Sequence, residues 1–112
     1  MATRTPITVL IDQLTTTAAD TAYTVPANSI LTISAATLNN STGTARTATV
    51  NITPNGGSAL ALVSALPVPA SGSAPTTVSG LVGQTLTAGG KIEIAADAST
   101  AVNVWVSGYL QT

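Results

Sequence analysis

The chain has no cysteine, no histidine and no phenylalanine among its 112 residues. Without cysteine there is no disulfide framework, no thiol nucleophile and no thiolate metal site. Without histidine a single chain cannot assemble a Ser–His–Asp triad, a Cys–His pair or an imidazole metal site. Charge is scarce as well: three cations and four acids make up 6% of the residues, against about 25% in an ordinary soluble domain. Three cations cannot neutralise a run of phosphates, so nucleic acid is not an expected partner. A basic membrane-surface helix is excluded for the same reason. No apolar run approaches a membrane span. The run Ile7–Ile11 is too short for the core of a signal peptide. The expected product therefore begins near Met1 and is made in a cytoplasm.

The remaining chemistry is thin. The acids are Asp12, Asp20, Glu93 and Asp97. They are too scattered for a calcium loop, and no set of nucleophile, base and stabiliser can be filled. Two carboxylates alone would satisfy a glycosidase, but one Trp and two Tyr offer little sugar platform. The Gly-Gly pairs at 56–57 and 89–90 lack a following helix or Lys-Ser/Thr, which makes them turns rather than phosphate cradles. No enzyme, cofactor or metal site is expected.

What is present is alternation. The stretch Leu86–Leu110 holds two period-2 runs. Ile92 and Ile94 share one face, opposite Lys91 and Glu93. Val102, Val104, Val106 and Leu110 share another, opposite Asn103, Trp105, Ser107 and Tyr109. β-Branched residues at period 2 form half-buried strands, and Asp97–Thr100 has the chemistry of a hairpin loop joining them. Ile7, Val9 and Ile11 form an earlier run. A short strand, Ala22–Val25, stops at Pro26 and turns at Ala27-Asn28. In Ser29–Leu38, Leu38 falls out of phase with Leu31 and Ile33, which calls for a bulge near Ala35-Ala36. Ala48, Val50 and Ile52 alternate; Leu60, Leu62 and Leu66 mark an Ala-rich run that is a helical turn or, as favoured here, a further strand. Thr76–Leu86 holds one or two more around Gly80 and Gly83. Residues 15–21 are small and polar, a loop or an extended strand.

Residues 1–6 look like a loose arm. The Pro-rich segment 67–75 is a surface loop or an arm on a neighbour. Seven or eight short strands with turns every 8–12 residues indicate one all-β domain over residues 1–112, a sandwich or small barrel.

So little charge leaves little repulsion to keep copies apart. The chain is either a subunit that ends in an assembly or a Thr-rich domain solvated by hydroxyls. Trp105 and Tyr109, with Asn103 on the same nominal outer face, are candidate interface residues, because Trp and Tyr anchor interfaces. The competing reading is that a loop or the N-terminal strand of the same chain covers them, or that the parity is reversed and the Val face makes the contact. Arg46, at the entry of a strand, is a further interface candidate. Its partner would be Asp12, Asp20 or a carboxylate of another subunit, and otherwise it is a solvated strand end. Lys91 and Glu93 form a solvated or edge-protecting pair.

Several phrases resemble those of small tailed-bacteriophage virion proteins. They are Tyr23-Thr24-Val25-Pro26-Ala27-Asn28, then Asn39-Asn40-Ser41-Thr42-Gly43. Later come Leu86-Thr87-Ala88-Gly89-Gly90-Lys91-Ile92 and, through Ala96-Asp97-Ala98, Val102-Asn103-Val104-Trp105-Val106-Ser107-Gly108-Tyr109. Asn28 stands where Gly is common in that family, and Gly90 where Asp is common. The resemblance covers most of residues 22–110 and implies a jelly-roll-like virion component without a catalytic site. Within that family a short single domain with flat, uncharged surfaces fits capsid decoration. Such a cement protein staples neighbouring major capsid subunits on the virion surface, itself a dimer or trimer. A tail or tail-fibre module that recognises host-surface glycans is the alternative.

Overall fold

Alternating sequence becomes nine antiparallel strands in two sheets, seen in a computed structural model that describes residues 3–17, 21–71 and 75–112. The strands are β1 (Arg4–Gln13), β2 (Ala22–Thr24), β3 (Ile30–Asn40), β4 (Arg46–Thr53), β5 (Leu60–Val68), β6 (Thr76–Thr77), β7 (Thr85–Thr87), β8 (Lys91–Ala96) and β9 (Val102–Gln111). One sheet has the order β1-β9-β3-β6, with β7 also paired to β3; the other runs β2-β8-β4-β5. No helix occurs among the described residues.

The pairing has a simple logic. The first strand pairs with the last, β2 with β8, β3 with β6 and β7, and β4 with β5. The chain is thus one long antiparallel ribbon folded back near its middle and wrapped so that β3 also meets β9 and β4 meets β8. That wrapping makes an antiparallel β-sandwich of two layers. The inward residues of both sheets form one continuous core. Leu31, Ile33 and Leu38 of β3 lie against the same cluster as Val50 of β4, Ile92 and Ile94 of β8, and Val102, Val104 and Val106 of β9. Burial of these β-branched and Leu side chains is the dominant stabilising term for a two-layer domain.

Several expectations change. The runs 91–96 and 102–111 do not form a hairpin: β8 lies in one sheet and β9 in the other. Each has one apolar face, and crossing between layers lets both faces meet across the same core. Asp97–Thr100 is the corner of that crossing, with Thr100 in the left-handed region at φ 58° and the Asp97 amide donating to the Thr47 carbonyl at 3.0 Å. β8 is also an interior strand, so Lys91 and Glu93, ion-paired at 3.4 Å, protect no edge.

The arm reading of residues 1–6 fails for Arg4–Pro6, which are paired along β9; Met1 and Ala2 lie outside the described residues. The Pro-rich segment is shorter than expected. Pro67 and Val68 complete β5, and the Ser71 amide donates to the Thr42 carbonyl at 2.7 Å; residues 72–74 lie outside the described set, as do 18–20 of the small polar stretch.

The bulge expected in the third strand falls between Ile33 and Ala35 and restores Leu38 to the core. A second bulge was not expected. In β1 the register shifts between Thr8 and Leu10, so Val9 and Leu10 are both buried and the phase inverts. Ile11, read as sharing a face with Ile7 and Val9, points outward instead.

Candidate interface on the five-stranded sheet

The outer face of the β1-β9-β3 sheet gathers the features that an interface needs. β9 is its central strand, and alternation holds along it: Val102, Val104, Val106 and Gly108 are buried, while Asn103, Trp105, Ser107 and Tyr109 face away from the core. Trp105 is 43% exposed and pairs in register with Ile11 on β1, itself 63% exposed. On the other side Trp105 is opposite Thr37 of β3. Ile30, 41% exposed, opens β3 on the same face, opposite Gln111. Among the described residues, three of the five exposed large hydrophobic side chains therefore lie here; the others are Leu60 and Val82.

The face is nearly uncharged. Arg4 is the charged side chain in register on it, and its guanidinium sits over the Tyr109 ring, 4.5 Å from the centroid. This cation–π contact covers Tyr109 with the first strand of the same chain and leaves Trp105 open. The two aromatic candidates thus part company. Asn103 lies on the face, half-buried and level with Gln13 and Asn39. Asp12 is level with inward-facing Val104 rather than with the outer row, and its carboxylate accepts from the Gln13 amide at 2.8 Å.

Arg46 is not brought to this face. It begins β4 in the opposite sheet, level with Val68, and its Nε is buried without a hydrogen-bond partner among the described residues. Neither Asp12 nor any other described carboxylate pairs with it; Asp20 lies outside the described residues. The outer face of that sheet carries the Lys91–Glu93 pair.

Ile11 and Ile30 are exposed apolar residues of this face that sequence periodicity missed. Ile11 is displaced by a bulge that no turn residue announces. Ile30 precedes Leu31, so only the phase set by Leu31 and Ile33 would have placed it outside. A small open pocket of about 150 Å³, lined by Ile52, Pro54, Thr85, Leu86, Thr87 and Gly90, lies elsewhere and carries no ionisable group. Among the described residues no three acidic, His or Cys side chains converge.

No protein-family model matches this chain, and no curated protein matches it. Among solved structures, it is similar to a chain in the structure of infectious bursal disease virus, Gx strain, at 14% identity and a TM-score of 0.46. The similarity covers 98% of this chain and 32% of the viral one, so the chain spans about a third of that protein's length.

Proposed function

We propose that this chain is a non-enzymatic structural subunit of a virion, a capsid decoration protein that bridges adjacent major capsid subunits and stabilises the mature shell. The observation that carries the reading is the nearly uncharged outer face of the five-stranded sheet, with Trp105 and Ile11 open at its surface. A monomer that works alone in solution gains nothing from exposing its single tryptophan beside an isoleucine, whereas contact surfaces place such residues at their centres. The turn-and-strand phrases shared with small phage virion proteins support the same reading.

The mechanism is differential binding. A subunit that docks only on the expanded shell stabilises that state by its binding free energy. Repetition over a symmetric lattice turns many weak contacts into avid attachment. Neither chemistry nor a cofactor is required.

Immunogold labelling of intact particles with antibody against this chain tests the proposal. Label over the whole shell, with particles lacking the protein bursting at lower temperature, is the expected result. Label confined to a tail tip or fibre would replace cementing by host recognition, and unlabelled particles would remove the chain from the virion.

A further inference from the structure

We propose that the outer face of the five-stranded sheet is where two copies of this chain meet, face to face across a two-fold axis. The inference rests on reading that face as a contact surface; a dimer that buries it would meet a shell through its remaining surfaces, so the pairing is tested separately from virion residence.

The edges of both sheets are closed to uncontrolled pairing. β2, β6 and β7 are only two or three residues long. β5 is broken by two register shifts, by Ala65 in the left-handed region at φ 53°, and by Pro67. β1 carries Pro6 and a bulge. Short, bulged and proline-bearing edges are the devices that prevent strand addition. Association is thus steered away from the edges, while the face keeps its apolar pair.

The choice of a second copy as the occupant comes from charge and area. A two-fold contact sets a patch against itself, so any charge on it meets its own sign. Here Arg4 is drawn aside over Tyr109 and the rest of the in-register surface is neutral, which suits self-contact. Three full strands at about 4.8 Å spacing and ten residues at about 3.3 Å, with the short β6 and β7 in a fourth position, give roughly 550 Å² per copy. Two copies would bury about 1,100 Å², just above the roughly 1,000 Å² that a specific interface has to clear. Twisted sheets stack at about 30° to one another, which brings the middle of the face closest together; Trp105 lies there on the interior strand β9, with Ile11 beside it on the edge strand β1.

Sedimentation velocity on the isolated chain reads the proposal directly, and Trp105, the sole tryptophan, reports by its own emission. A dimer is expected, with emission moving to the red on dilution as Trp105 becomes hydrated. Trp105→Ala should weaken the dimer roughly 30-fold, the scale of a hot-spot residue, while Leu60→Ala, at an even more exposed apolar side chain in the other sheet, should leave it unchanged. Thr37→Asp and Thr37→Lys, each beside Trp105, should be monomeric alone and form a heterodimer when mixed. A monomer at every soluble concentration, a trimer, or a dimer indifferent to both Trp105 and Thr37 would overturn the proposal. Immunogold absence from virions would leave it standing.

Discussion

At position 108 the chain has no room for a side chain. Gly108 lies in β9 beside the bulge of β3, and a Cβ there would overlap the carbonyl oxygen of Thr32. Gly108→Ala is expected to cost about 2–3 kcal/mol by overpacking, seen as a fall of about 10 °C in Tm by calorimetry. Asn40 is a polar counterpart, 2% exposed and fully occupied. Its Nδ2 donates to the carbonyls of Thr44 and Val68 at 2.7 and 3.3 Å, and its Oδ1 accepts from the amide and hydroxyl of Thr42 at 2.9 and 2.7 Å. The residue thereby ties the β3–β4 turn to the end of β5. Sequence reading saw only a turn cluster at Asn39–Gly43, because Asn marks a turn whether or not it is buried.

Tyr23 packs against the core, and burial raises its pKa above the ordinary 10.0. Folding holds the phenol neutral, so its contribution to stability is complete below pH 10 and is lost as pH rises through the folded-state value, where the unfolded chain ionises first. Wild type should therefore lose stability in alkali faster than Tyr23→Phe, in denaturant titrations repeated across that range.

At the scale of the element, a strand's two faces answer to different demands. Val104 and Trp105 are adjacent in β9, one fully buried and the other 43% exposed. Val104→Thr keeps shape but buries a hydroxyl and should cost about 1–3 kcal/mol. Trp105→Thr at a monomeric concentration should change stability by less than about 0.5 kcal/mol. Equal losses in chemical unfolding would place Trp105 in the core. Alternation made this contrast legible in β9, β8 and β4, where the phase is unbroken. It misled in β1, because the shift between Thr8 and Leu10 inverts the faces and a bulge leaves no compositional mark when it is filled by Val and Leu. The 97–101 corner misled for a related reason: polar turn residues serve a hairpin and a crossover between sheets equally well.

Over the whole molecule, the scarcity of charge becomes a prediction about salt. The described ion pair is Lys91–Glu93, with the Lys side chain 38% exposed, and exposed pairs contribute little. Tm and the dimer's dissociation constant should both stay flat as ionic strength rises from about 0.01 to 0.15 M, where the Debye length falls from about 30 to 8 Å. A steep change in sedimentation or calorimetry over that range would mean that charge, not apolar contact, holds copies together. The slab is thin, with principal extents of 49 × 26 × 19 Å, so a large share of its residues sits on one of two broad faces. Those faces differ: one holds an ion pair, the other Trp105 and Ile11.

Composition and period alone determined that this is an all-β chain with no histidine or cysteine chemistry, because an absent residue type removes its chemistry and β-branched alternation admits few alternatives. They also placed Trp105, Tyr109 and Asn103 on one face, since parity along an unbroken strand is a local property. Only the tertiary structure decided which strands are partners, that Arg4 covers Tyr109, that Ile11 joins Trp105 and that Arg46 belongs to the other sheet. Strand pairing is non-local: the choice between a hairpin and a crossover is made by the core that both strands must share, and no window of sequence contains that core.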